Sequence, residues 1–204
     1  VMNNSSTAIL PSVYLGPIHW YSKLMSFDEV VLEHNEHYRK QTYRNRCRIV
    51  GPNGIQNLIV PIHKIENHTP LKEITIDYDG NWQRQHWQSI RSAYGNSPFF
   101  NFYADYFSPF YENQKWEKLI DFNSELLSVT LKLLKCEKKI SFTEEYFPSY
   151  ENDLRNSADF KTENNTSQFK RYPQVFEDRH GFISNLSIID LLCCCGPEAK
   201  NYFQ

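Results

Sequence analysis

A chain of 204 residues with 22 Lys and Arg against 24 Asp and Glu has a formal charge of -2 and an isoelectric point near 6.4. That balance excludes a general nucleic-acid binder, which needs a strongly basic domain. Aromatic residues make up 15%, so several Tyr and Trp rings must find partners for their polar ends within a core or cleft.

The length suits a single domain over residues 2–204, with Val1 ahead of Met2 read as extraneous. A chain this long buries roughly 70% of its unfolded surface and needs neither disulfides nor a structural metal. No apolar run approaches the roughly 18 residues of a membrane span. The opening Met2-Asn3-Asn4-Ser5-Ser6 lacks the charged and apolar regions of a signal peptide, so a cytoplasmic protein is expected. Five cysteines, with Cys193, Cys194 and Cys195 adjacent, give neither a disulfide framework nor a CxxC metal spacing. They read as reduced thiols.

In chain order, Ala8-Ile9-Leu10 begins a strand and Gly16-Pro17 breaks it. Ile18, Tyr21, Leu24 and Met25 then recur at helical spacing, with Pro17 acceptable at the first turn. Glu29 to Glu33 is a second strand. Strand, helix and strand predict a βαβ unit opening an α/β domain around a short, mostly parallel sheet, with a ligand cleft at the strands' C-terminal ends.

Arg39, Lys40, Arg44, Arg46 and Arg48 next put five cations into ten residues. On an extended strand alternate side chains share a face, so Arg44, Arg46 and Arg48 are expected on one side, with Tyr43, Asn45, Cys47 and Ile49 on the other. Gly51-Pro52-Asn53-Gly54 is a turn sequence, and Ile55 to Ile62 offers the partner strand of an inserted basic hairpin. Ile74 to Tyr78 is a further short strand. Asp79-Gly80-Asn81 opens a helix on which Trp82, His86, Ile90 and Ala93 share a face, and Ser97-Pro98 ends it. From Lys115 to Lys135 apolar periodicity predicts the longest helix, interrupted at Asn123. Ile140 to Thr143 reads as a strand, residues 156–170 as a loop or mobile lid, and Asn185 to Asp190 as a capping box opening a last helix stopped at Gly196-Pro197.

The arginine strand is the foremost functional signal, because guanidiniums bind phosphate or carboxylate bidentately. Its plain alternative is a solvated face paired with Glu33 or Glu36; Lys40 suits either. Glu33-His34-Asn35-Glu36-His37 follows a strand end. His-x-x-His is too sparse to assign a metal, and an acid or base at His37 is favoured over one, with an ordinary surface loop as the bland reading. His86 fits a hydrogen-bonded core histidine better than a catalyst. His180 lies in a mixed charged segment that either closes over a ligand or turns the chain at Gly181. A thiolate at Cys47 would be favoured by neighbouring arginine charge.

Lys40-Gln41-Thr42-Tyr43-Arg44-Asn45-Arg46-Cys47-Arg48-Ile49 is similar to the Lys-x-x-Trp/Tyr-x-Asn-Arg-x-x-Ile signature of the WbqC-like family. Tyr14-Leu15, Trp82 with His86 and Ile90, Ala93-Tyr94, Pro98-Phe99, Tyr172 to Phe176, and Asn185 to Leu192 resemble further blocks of that family. The chain departs from it in lacking a Gln-Pro opening, in having His19 where Gly is usual, and in its triple cysteine. The resemblance implies association with O-antigen and other bacterial surface-polysaccharide gene clusters, which is a pathway and not a mechanism. It carries Lys40, Asn45, Arg46 and His86 over as motif residues.

The expected function is therefore an enzyme acting on a nucleotide-linked sugar, as a group transferase. Arg44, Arg46 and Arg48 would hold the diphosphate, with Lys40, Tyr43 and Tyr94 also binding substrate. His37, His86 or His180 would remove a proton, and Asn45 would orient a hydroxyl or polarise a carbonyl. The alternatives are a non-catalytic module that binds an anion or glycan, or a nucleotidyltransferase-like protein, the latter suggested by Gly16-Pro17-Ile18-His19. No cofactor or metal is assigned; the expected partner is the nucleotide-linked sugar or another anionic small molecule, and an oligomer is compatible with the sequence.

Overall fold

The computed structural model describes residues 6–159 and 169–203. Strand β1 (Thr7–Pro11), helix α1 (Ile18–Met25) and strand β2 (Glu29–Glu33) form the expected opening unit, with β1 and β2 parallel in register from Thr7↔Glu29 to Pro11↔Glu33. A late strand from the far end of the sequence, which we label β5 (Lys139–Phe142), pairs parallel on the other side of β2 and completes the order β1-β2-β5. Ala8, Leu10, Val30 and Leu32 are buried from this sheet. The outer edge of β1 is covered, as edges must be to avoid templating other strands: Ile9 N–H donates to the Asn152 carbonyl (3.0 Å), and Leu154 N–H to the Ile9 carbonyl (2.9 Å).

The hairpin consists of β3 (Arg46–Gly51) and β4 (Gly54–Ile59), antiparallel and closed by a two-residue turn at Pro52-Asn53. Gly54, at φ 102°, occupies the left-handed region that a side chain disfavours. Cys47, Ile49 and Leu58 are buried on the inner face. Arg46, Arg48, Asn57 and Ile59 lie on the opposite face, since register pairs Arg46 with Ile59 and Arg48 with Asn57.

Helix α2 (Trp82–Tyr94) buries Trp82, His86, Ile90 and Ala93 as its spacing requires. The segment before it differs from expectation. Residues 74–78 form no ladder strand, only isolated bridges at Ile62↔Ile76 and Thr75↔Lys118. Two helices, α3 (Phe100–Phe107) and α4 (Pro109–Glu112), stand where no periodicity was readable, because aromatic residues occur on nearly every side of Phe99 to Tyr111. Helix α5 (Leu119–Leu133) begins later than Lys115, since Lys118 is extended and engaged in the bridge to Thr75. Phe122 of α5 meets Trp82, Phe110 and Trp116 edge-on, with centroids 5.9, 5.8 and 5.3 Å away. Such pairs add about 0.5–1.5 kcal/mol each beyond area burial.

Near the C-terminus come α6 (Glu177–His180) and α7 (Ile188–Cys195). Ser187 caps α7 by accepting from the Ile189 N–H, and Gly196 ends it at φ 56°, where a Cβ would stand 2.4 Å from the Phe99 ring. The five thiols are free, and Cys193, Cys194 and Cys195 are packed into the core. Most of the expected lid over 156–170 lies outside the described residues. Its start belongs to a short 3-10 turn over Arg155–Ala158, whose Ala158 carbonyl accepts from Tyr43 N–H at 2.8 Å. Among the described residues no helix is long and apolar enough to cross a membrane.

Candidate anion-binding site

The expectation of three guanidiniums along one strand face is corrected by the structure. Tyr43 and Arg44 form a turn and the ladder starts only at Arg46, so strand alternation does not reach Arg44. Its side chain turns inward and is wholly buried. Nε donates to Glu36 Oε1 at 2.8 Å, one terminal nitrogen lies 2.7 Å from the same carboxylate, and the other lies 3.2 Å from Asp159 Oδ1. A guanidinium removed from water must be paired in this way. Burial pushes the Glu36 carboxyl above its ordinary range, opposed by Arg44 and Arg39.

A second network lies at the C-terminal end of the parallel sheet, beside a recess of about 500 Å³ lined by Ser141, Phe142, Thr143 and Tyr150 among others. Glu33, also fully buried, accepts from Thr143 Oγ1 and from Asn35 N–H, each at 2.7 Å, and lies 3.5 Å from Arg155. Arg155 is gripped by Asp153 and by the Phe147 and Pro148 carbonyls at 3.0 and 2.9 Å. Its guanidinium holds the Asp153 carboxyl below the usual range.

The basic recess opens over the hairpin, with a cavity volume of about 630 Å³. The outward face of β3 contributes Arg46 and Arg48, and that of β4 contributes Ile55 and Asn57. The loop before the hairpin adds Arg39, Lys40, Gln41 and Thr42, and Asp159 completes the wall. Gln41 sits at φ 59°, and Thr42 Oγ1 closes the loop on the Arg39 carbonyl at 3.0 Å. Left-handed backbone at a non-glycine residue costs about 1–3 kcal/mol and persists only where its surroundings enforce it. Arg39 reaches Asn156 at 2.9 Å and Asp159 at 3.3 Å. Among the described residues the buried Nε of Arg46 has no hydrogen-bond partner. Four cations against one carboxylate in a concave wall concentrate positive potential.

Of the sequence candidates, Lys40, Arg46 and Arg48 are thus brought together. Tyr43 is buried behind them, its ring centroid 6.0 Å from the Arg48 guanidinium carbon. Asn45 is also buried; its Nδ2 donates to the Val60 carbonyl at 2.9 Å, latching the chain beyond the hairpin, and does not line the recess. Tyr94 is wholly buried beside Asp190 and does not line the recess. Asp190 accepts from the Tyr172 hydroxyl at 2.6 Å, and burial raises its carboxyl to about 6 despite hydrogen bonds that favour the charge.

The histidines do not face the recess. The His86 ring meets the Ile59 backbone, and its Nδ1 lies 3.0 Å from the Tyr14 hydroxyl; Tyr14 is in turn 2.8 Å from the Tyr111 hydroxyl. Burial lowers His86 to about 4, so it is neutral at pH 7. His37 is exposed, with Nδ1 3.2 Å from His68 Nδ1 and its ring stacked with Tyr146. His34 turns away to the Thr143 carbonyl (2.9 Å), and among the described residues no three His, Cys, Asp or Glu side chains are grouped to hold a metal. His180 and Arg179 both fasten the hairpin turn by donating to the Pro52 carbonyl, at 3.1 and 2.8 Å. His19 is bound to Asn185 and to the Ser157 carbonyl (2.7 Å). Cys47 is buried, and desolvation raises its thiol, the reverse of thiolate activation by the arginines.

Sequence reasoning missed Arg39, Gln41, Thr42, Ile55, Asn57 and Asp159 as lining residues. Period-two alternation along β4 would have found Ile55 and Asn57, which share the outward face with Arg48. Asp159 carries no such signal; it lies 120 residues from Arg39.

The WbqC-like protein family matches this chain over residues 12–157 and 148–202. The chain is also similar to "Uncharacterized protein Rv1507c" of Mycobacterium tuberculosis (strain ATCC 25618 / H37Rv), with 29% identity over 141 residues, which cover 68% of this chain and 60% of that relative's length. No solved structure matches.

Proposed function

Because the chain belongs to the WbqC-like protein family, we propose that it serves in bacterial surface-polysaccharide assembly, of the O-antigen type, as an enzyme that binds an activated, nucleotide-linked sugar and transfers a group on it. The observation that carries this reading is the convergence of Arg39, Lys40, Arg46 and Arg48 on one recess. Its volume falls within the roughly 300–1,000 Å³ of small-molecule sites. Arg46 and Arg48 hold the diphosphate by charge-assisted hydrogen bonds, and Arg39 and Lys40 flank it. With the histidines directed elsewhere, Asp159 is the carboxylate beside the ligand.

One observation favours a second reading. A recess lined by cations without an imidazole suits a non-catalytic module that only holds an anionic glycan precursor. Titration calorimetry with nucleotide sugars tests the shared step: wild type should release heat and Arg46→Ala should bind about tenfold to hundredfold more weakly. Absence of heat across a panel of nucleotide sugars would remove both readings. Turnover of a bound sugar nucleotide, followed by mass spectrometry, separates enzyme from module.

A further inference from the structure

We infer that the recess is asymmetric along the hairpin, so that its ligand is a nucleoside diphosphate derivative lying with its base at the hairpin tip against Ile55 and its sugar at the Arg39 end. This inference rests on the function proposed above. The strand register sets the order of groups. Val50 faces Ile55 next to the turn, Arg48 faces Asn57, and Arg46 faces Ile59. At about 3.4 Å per residue, Ile55 and Asn57 are about 7 Å apart, and the Arg46 level lies about 14 Å from Ile55. The 39–42 loop, which leads into β3 at its Arg46 end, and Asp159, bridged to Thr42, complete the lining.

Each level suits one part of such a ligand. Ile55 is 52% exposed, a large apolar side chain left open in a wall of charges. A nucleobase presents flat apolar faces that this side chain can cover. Its edge carries amide-like donors and acceptors, and the neighbouring Asn57 amide offers both. The two phosphates then fall to Arg48 and Arg46, successive guanidiniums of one strand face. Sugar hydroxyls come to rest among Gln41, Thr42 and Asp159, which offer amide, hydroxyl and carboxylate oxygens. The reverse orientation would press the base onto Arg39, Lys40 and Asp159 and desolvate them, while leaving hydroxyls against Ile55. Ile59, 41% exposed and paired with Arg46 on the same face, does not line the recess.

Calorimetry with three probes tests the orientation: uridine diphosphate, inorganic pyrophosphate and glucose 1-phosphate. Ile55→Ser should weaken uridine diphosphate about fivefold and leave pyrophosphate and glucose 1-phosphate within about twofold. Arg46→Ala should weaken all three. The half-exposed Ile55 makes its variant safe for folding, which a thermal melt checks. Unchanged binding of uridine diphosphate by Ile55→Ser, or equal weakening of pyrophosphate, would overturn the orientation while the anion site stands. If wild type binds none of the three probes, the anion-site reading itself falls, and the orientation with it.

Discussion

Two buried titratable groups should pull stability in opposite directions as the pH falls. His86 has an ordinary value of 6.5 and is lowered to about 4. Between those pH values the unfolded chain binds a proton that the folded chain refuses, so the stability this group contributes is whole above 6.5 and lost as the pH falls through 4. At about 1.4 kcal/mol per pH unit, the loss is about 3 kcal/mol. Asp190 moves the other way, from 3.8 up to about 6. There the folded chain keeps a proton that the unfolded chain has released, so its contribution is whole below 3.8 and declines by about 3 kcal/mol as the pH rises through 6. Between about pH 4 and 6 the two slopes oppose one another, and the combined contribution of these two groups is nearly level. His86→Asn keeps a neutral partner for Tyr14 but cannot be protonated. Urea unfolding across that window should show this variant gaining about 2–3 kcal/mol relative to wild type as the pH falls. Asp190→Asn should lose a similar amount. Titrations common to all three chains cancel in these differences. If the His86→Asn difference from wild type stays constant within about 0.5 kcal/mol across the window, the assignment of His86 as a buried neutral group is wrong.

The arginines of the cluster should separate by consequence. Arg46→Ala and Arg48→Ala should each lose about tenfold to hundredfold in affinity for a nucleotide sugar, with added salt eroding wild-type binding too, while both variants keep their melting temperature within a few degrees. Arg44→Ala should instead lose about 3–5 kcal/mol of stability in urea, because buried Glu36 would lose its 2.7 Å ion pair and keep only the 3.9 Å contact to Arg39. Thiol labelling should be fast at the half-buried Cys136 alone in the native protein and reach all five cysteines after denaturation; rapid native labelling of Cys47 would contradict its burial and its raised thiol.

Much of the architecture was legible along the chain. The opening β1-α1-β2 unit, the hairpin and the capped α7 are written in spacings of two to four residues and in turn or cap residues such as Gly54, Ser187 and Gly196. Those signals act over a few bonds, so a sequence exposes them. The α3 and α4 segment escaped because its aromatic residues leave no polar face for a periodicity to reveal. The burial of His86 is legible, since Trp82 and Ile90 share its face, but its link to Tyr14 and Tyr111 joins three separate parts of the chain.

That a concentrated basic hairpin presents cations on an outward face follows from local rules, because alternation and the Gly51 to Gly54 turn act between near neighbours. Which cations those are depends on long-range packing. Arg44 is drawn inside by Glu36 and by Asp159, 115 residues away in the chain, and Arg39 joins the wall through the same carboxylate. The balance between desolvating a guanidinium and pairing it depends on which distant groups the packed fold brings within reach, and no local pattern encodes that.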